Sequence, residues 1–414
     1  MTTPNTPKTP RPTWTAVRVL RDRTAGRCLA GVLVSGFGTS ALWLASGVWV
    51  KDLTGSDGLA ALTMLAMWTP VLCGPLLGTL ADLPRSRLRS TGRRTHPRVT
   101  LLVALNLSLA ALLLSLLTVD SAADVWLVLV VLLLYGTAGV IQDAAESALV
   151  ATSLDPALLG HFNGLRMTAN EGMKLLAPLA GAGVYAAYGG TAVVLLDTGT
   201  FVLAAVLYAG LRGDGSPPPA PPTSSWRART AEGVRHVWGH PRLRPLVVAA
   251  GTTMLCAGIN GALVYAVIDG LGHPPAYAGV LAAVQGAGSV AVGLGSGAAL
   301  RHLGDRRFAV CGMALTGVAV ALRAVPSDLA ALVGGVGVGA GLPCVLITAF
   351  TAVQRLTPDA LRGRAAATAS TLVFVPNVVG LAVGAALVEP LPHGPLLVLL
   401  GLAQLLSVTR LRRA

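Results

Sequence analysis

Residues 125–134 read VWLVLVVLLL, and nothing but the Trp126 indole in that run can form a side-chain hydrogen bond. Comparable apolar runs recur along the 414-residue chain at 28–50, 58–81, 99–119, 125–148, 167–188, 190–211, 245–268, 276–300, 308–326, 328–353, 365–388 and 393–409. In hydrocarbon no water is available to satisfy a peptide group, so a spanning segment must close its own backbone bonds. That leaves helices of about 20 residues or strands of about 10 in a closed barrel. Barrel strands alternate in polarity, and these runs do not. The reading is an all-α integral membrane protein of twelve transmembrane helices. With 53% hydrophobic and only 12% charged residues, the composition excludes a water-soluble fold of this size.

The net charge of +13 does not mark a nucleic-acid surface, because the basic residues are sorted by loop instead of gathered on one soluble face. With the N-terminus inside, Arg11, Arg18, Arg21, Arg23 and Arg27 are cytoplasmic, and so are the clusters at 85–98, 212–244, 301–307, 355–364 and 410–413. The opposite loops hold Lys51 and Arg323 among the acids Asp52, Asp57, Asp120, Asp124, Asp269, Asp328 and Glu389. Twelve passes with both termini inside a plasma membrane satisfy the positive-inside rule in each loop. Cys28, Cys73, Cys256, Cys311 and Cys344 lack the Cys/His spacing of a metal site and read as small buried hydrophobes.

The longest polar interval, RGDGSPPPAPPTSSWRARTAEGVRHVWGHPRLRP, opens with prolines that end a helix, and its AEGVRHVW has the pattern of a short amphipathic one. The expected organisation is a disordered or interfacial N-terminus at 1–27, a six-helix bundle at 28–211, a cytoplasmic linker at 212–244, a second six-helix bundle at 245–409 and a tail at 410–414. The halves echo each other. SLDPALLGHFNG after span four matches RLTPDALRGRAA after span ten at Leu154/Leu356, Pro156/Pro358 and Gly160/Gly363. The stretch GTLADLPRSRLRSTGRR is likewise echoed by GLGSGAALRHLGDRR, where an apolar run again breaks into an aspartate and arginines. Repeats in corresponding loops point to two pseudo-symmetric bundles, the construction of many secondary transporters.

The residues Gly78, Leu80 and Asp82, followed by Arg85, Arg87 and Arg89, resemble the signature of the loop between spans two and three in the major facilitator superfamily, although Arg85 stands where that signature has its second glycine. The resemblance covers the chain from about residue 28 onward. It implies that Asp82 latches the cytoplasmic side shut against an acidic partner near the end of span four, for which Asp143 and Glu146 qualify. The helix start of span eleven near Arg364 is a further partner for Asp82. The conformational gate is therefore expected at Gly78, Asp82, Arg85, Arg87, Asp143 and Glu146. In span five KLLAPLAGAG resembles the superfamily's antiporter motif at Pro178 and Gly181, with Ala177 and Ala182 replacing two glycines. FNGLRMTANEGMKLLAPLAG and LLDTGTFVLAA resemble the drug and macrolide exporter branch.

Charges inside spans are costly, roughly 3 kcal/mol each, and so mark functional positions. Span four carries Asp143 and Glu146 on one face. Span five carries Arg166 and Lys174, with Glu171 placed to pair with Lys174, and span six carries Asp197 without an evident partner in its own helix. Asp143, Glu146, Glu171, Lys174 and Asp197 are the proton-coupling candidates. The substrate cavity between the bundles is expected to draw on Phe37, Ser40 and Trp43 of span one, Met254, Asn260 and Tyr265 of span seven, and Phe374 and Asn377 of span eleven. That mixture suits a lipophilic ligand. The chain carries no nucleotide-binding loop or catalytic metal motif, so the expectation is a monomeric, non-enzymatic exporter of amphipathic compounds such as antibiotics. It would be driven by the proton gradient without cofactor or metal. Two alternatives stand: a siderophore or metabolite exporter or importer, and a non-transporting receptor or assembly protein on the same fold.

Overall fold

The computed structural model describes residues 22–74, 77, 97–154, 156–211 and 226–413. Its first helix, α1 (Arg23–Thr54), begins where Asp22 Oδ1 accepts the backbone N–H groups of Thr24 and Ala25, both at 2.9 Å. It ends at Gly55, which takes a left-handed φ of 70° and returns its N–H to the Lys51 carbonyl. Ser56 then caps α2 (Asp57–Trp68), so only two residues separate the helices. There follow α3 (Pro97–Leu114), α4 (Val125–Ser153), α5 (Pro156–Ala209), α6 (Trp226–Gly239), α7 (Leu243–Ala262), α8 (Val264–Gly270), α9 (Ala278–Leu322), α10 (Asp328–Leu356), α11 (Asp359–Leu387) and α12 (His393–Arg413).

Nine helices among the described residues are long and apolar enough to cross a bilayer, and Asp57–Cys73 is a shorter apolar one. Two are too long for a single crossing: the 54 residues of α5 would extend about 80 Å if straight, against a hydrocarbon core of about 30 Å. Each breaks at one glycine with positive φ, Gly189 in α5 and Gly304 in α9, both at 75°. A side chain at that φ is strained, so glycine permits the chain to turn back there. Gly189 falls between the expected spans 167–188 and 190–211, and Gly304 between 276–300 and 308–326. The last expected span, 393–409, is longer than its apolar run because α12 continues to Arg413.

Large apolar side chains point outward, Leu294 at 86% and Trp126 at 63% exposure among them. On a bundle whose surroundings are hydrocarbon this is the favourable arrangement, and Cys73 and Cys311 share it: both are exposed, not buried as expected. Inside, α1 packs along α5, α7 along α11 and α9 along α10. Five buried apolar clusters form. Two lie wholly within α1–α5, and two draw only on residues from Val237 onward. The fifth joins Leu44, Val48, Ala60 and Met64 to Tyr265, Leu281 and Leu381. It lies toward the end of the bundle that carries Lys51, Asp57, Asp269 and Glu389, here termed the acidic end.

Candidate functional site

Lys51 sits in the last turn of α1, 7% exposed, and its ammonium contacts Asp57 Oδ1 at 2.8 Å and Asp269 Oδ2 at 2.6 Å. The first contact lies within one half and the second crosses to α8. Beside it Glu389, just past α11, accepts Ser56 Oγ at 2.7 Å and the Gly58 N–H at 3.0 Å. A carboxylate at a helix N-terminus satisfies orphan donors and meets the positive end of the dipole. These bonds hold the Glu389 carboxyl below its usual range. Tyr265, fully buried, points its hydroxyl at the Leu44 carbonyl 3.4 Å away. Among the described residues, the hydrogen bonds and ion pairs joining the two halves are these, all at the acidic end.

Deeper in the bundle α1 changes character. From Ala41 to Lys51 every residue but Trp43 is buried, whereas Leu33, Val34, Gly36, Phe37, Thr39 and Ser40 are half-buried. Trp43 is half-buried with its indole N–H unpartnered. Phe374 of α11 lies between Trp68 of α2, with ring centroids 6.2 Å apart, and Phe350 of α10 at 6.1 Å. This aromatic contact spans the halves at mid-depth, and neither Trp68 nor Phe350 stood out in the sequence. Of the span-seven residues, Met254 is buried in the second half's core, Asn260 accepts from Arg323 Nη1 at 2.9 Å, and Tyr265 lies at the acidic-end joint. Asn377 is also buried, on a stretch of α11 whose backbone closely approaches Gly258 of α7.

At the opposite, arginine-rich end, the acids of α4 meet the base of α5. Arg166 Nη2 contacts Asp143 Oδ1 at 2.9 Å and Glu146 Oε2 at 3.2 Å. Glu146 is 5% exposed and further receives Tyr208 Oη at 2.6 Å and Gln142 Nε2 at 2.9 Å. Asp143 is open to its surroundings. Glu171 and Lys174 stand on α5, but their side chains lie outside the described residues, as do Gly78, Asp82, Arg85 and Arg87 altogether. The expected helix start near Arg364 is displaced. Helix α11 begins at Asp359, and Arg364, one turn in, pairs with Glu232 of α6. The amphipathic linker helix is thus fastened to the second half.

Asp197 has partners the sequence did not reveal. It is fully buried in α5, with Tyr135 of α4 at 3.0 Å and Thr200, one turn along its own helix, at 3.0 Å. Gly38 of α1 lies against this carboxyl with no room for a Cβ. The antiporter-like residues occupy a second tight crossing: a Cβ on Gly181 would stand 2.5 Å from the Ala41 carbonyl oxygen, and Gly279 of α9 approaches Ala182 and the Pro178 carbonyl from the other half. Without a hydrophobic drive between helices in lipid, such small-residue contacts let the backbones meet closely.

The family model of the Major Facilitator Superfamily matches residues 28–268, more than half of the chain. No curated protein matches it in sequence. Among solved structures it is similar to the nucleoside transporter NupG, with a TM-score of 0.70 at 11% identity over 96% of this chain and 98% of that one. It is similar to the POT family transporter PepTSo, with a TM-score of 0.70 at 13% identity over 97% and 98%. A bacterial homologue of the iron transporter ferroportin, in an inward-facing state, gives 0.66 at 17% identity over 95% and 98%. Identities this low establish the shared fold and leave the cargo open. This multi-pass membrane chain therefore belongs to the Major Facilitator Superfamily and has its transporter fold.

Proposed function

We propose that the chain is a twelve-pass secondary transporter that exports small amphipathic compounds, drugs and antibiotics among them, in exchange for protons. The reading is supported by nine long apolar helices among the described residues, two of them divided at Gly189 and Gly304, and by the short apolar helix Asp57–Cys73, which together would supply twelve passes. The acidic end faces outward from a plasma membrane, and the arginines, both termini and the 212–244 linker face the cytoplasm, as the positive-inside rule asks. The domains are the bundles at 28–211 and 245–409.

The observation that carries this reading is the joint between the halves at the acidic end. Lys51–Asp269, Glu389–Ser56 and the mixed apolar cluster seal the acidic end. On the exporter reading a sealed acidic end is one extreme of an alternating-access cycle, the one in which the transporter loads from the cytoplasm. Phe37, Ser40, Trp43, Trp68, Phe350 and Phe374 offer an aromatic, sparsely polar mid-depth surface that suits a lipophilic ligand. Export in preference to uptake rests on the resemblance of KLLAPLAGAG, at Pro178 and Gly181, to the superfamily's antiporter motif.

Uptake into inside-out vesicles from cells stripped of their own exporters, over a panel of lipophilic dyes and antibiotics with and without a proton uncoupler, tests the proposal. Accumulation that collapses with the uncoupler is the expected result. Accumulation only into right-side-out vesicles would make the chain an importer. No movement of any compound, combined with capture of a protein partner, would remove it from transport.

A further inference from the structure

One face of α1 passes from open to sealed within about three turns. Gly36, Ser40, Trp43 and Gly47 share it, at steps of four, three and four residues. A Cβ on Gly36 would meet nothing within 4 Å, and Ser40 is half-buried. Gly47 lies against the Tyr265 hydroxyl of the second half with no room for a Cβ. Trp43 stands at the boundary, half-buried and packed on the apolar cluster that joins the halves. Its indole N–H is sealed from water and has no acceptor among the described residues. A buried tryptophan N–H ordinarily finds a partner. An indole nitrogen only donates, so no turn of a hydroxyl and no change of tautomer relieves it from its own side.

We propose that the Trp43 indole N–H opposes closure of the acidic end: closing strips it of water without supplying an acceptor, and opening returns it to water. A donor buried unmade bears its full desolvation penalty, whose lower end shifts a two-state balance about fivefold. Lys51–Asp269, half-exposed on its acidic side, is worth a similar factor in the opposite direction, so one orphan offsets about one such contact. Two conformations that cargo or a proton can exchange must lie close in free energy, because a ligand moves their balance only by its differential affinity. A joint made of favourable contacts alone would hold the bundle shut. Phenylalanine or leucine at position 43 would fill the apolar cluster with no donor to satisfy, and tryptophan keeps the joint reversible. The use of this device rests on the transporter reading, whereas the state of the N–H does not. The sign is distinctive: loss of apolar surface from a joint loosens it, but loss of this N–H alone should tighten it.

Two measurements on the full chain in lipid test this, and neither needs cargo or a gradient, so the exporter reading can fail while they stand. Ultraviolet resonance Raman spectroscopy reads the hydrogen bonding of an indole N–H, and the difference between the natural chain and Trp43→Phe isolates Trp43 from the other tryptophans. The expected band is that of an N–H without an acceptor. The second replaces Trp43 by benzothienylalanine, which keeps the bicyclic shape and puts sulfur where the N–H stood. An impermeant maleimide applied from the acidic side to Ser40→Cys, with the native cysteines replaced, should then react about fivefold more slowly than in the tryptophan parent. Labelling as fast as in the parent, or faster, would overturn the proposal. A band at the position of a bonded indole would overturn it as well, even if the benzothienyl chain failed to fold.

Discussion

Neutralising the two acids that bridge the halves should open the acidic end by a calculable amount. Asp269→Asn deletes the partner of Lys51 across the joint and leaves the 2.8 Å Lys51–Asp57 pair within its own half, so the loss falls on the closed state alone. The Asp269 side chain is 46% exposed, which places the pair near the solvated limit, at about 1 kcal/mol. Glu389→Gln keeps the shape of the cap on α2 but turns charge-assisted bonds from Ser56 and Gly58 into neutral ones, again about 1 kcal/mol. Each single change then raises the population open at the acidic end about 5-fold, and the double change about 30-fold where the effects add. Asp57 touches Lys51 and adjoins Gly58, so coupling through it reduces the sum. The assay is the labelling rate of Ser40→Cys by an impermeant maleimide applied from the acidic side, with the five native cysteines replaced. Rates in the double variant equal to those of the parent would refute the reasoning, since the cross-half bonds would then contribute nothing to closure.

The same joint should respond to acid. Hydrogen bonds from Gly58 and Ser56 hold Glu389 below its ordinary value of 4.5, so its contribution to closure is complete above that value and is lost as pH falls through the depressed one. Maleimide labelling of Ser40→Cys, taken relative to a free thiol at the same pH because only the thiolate reacts, should accelerate only below the ordinary glutamate range, and Glu389→Gln should flatten the profile. Arg166→Met leaves the buried Glu146 without a cation and should lower stability by about 3–5 kcal/mol, read as a fall in the thermal unfolding midpoint that Glu146→Gln largely restores in the same chain. Gly181→Ala forces a Cβ against the Ala41 carbonyl oxygen and should cost about 1–3 kcal/mol by the same measurement, with transport falling further than stability.

The bundle could be read from the sequence because lipid imposes one rule on every span. Apolar runs had to become helices, and Gly189 and Gly304 turned the chain at the boundaries those runs implied. Charge pairing was legible where partners lie on consecutive helices, as with Asp143, Glu146 and Arg166. It was not legible where partners are brought together by the meeting of two bundles. Lys51 and Asp269 are 218 positions apart, and the run of external acids gave no hint of which would meet the lone external lysine. Tyr135 and Tyr208 were overlooked for a different reason: each sits in an apolar run and reads as an aromatic packing residue until its hydroxyl is seen against a buried acid. The partner of Asn260 was hidden for a related reason, since a polar residue on an apolar span gives no sign in the sequence of the buried arginine it holds.

The central claim is that two bundles take turns in exposing the space between them, and two distances measured in one preparation test it most directly. Pulsed electron resonance on spin labels at Thr54 and Leu391 reports the acidic end, and labels at Arg23 and His302 report the arginine-rich end. Alternating access predicts that substrate or a pH gradient lengthens the first distance while shortening the second. Distances that stay fixed, or that lengthen together, would contradict it.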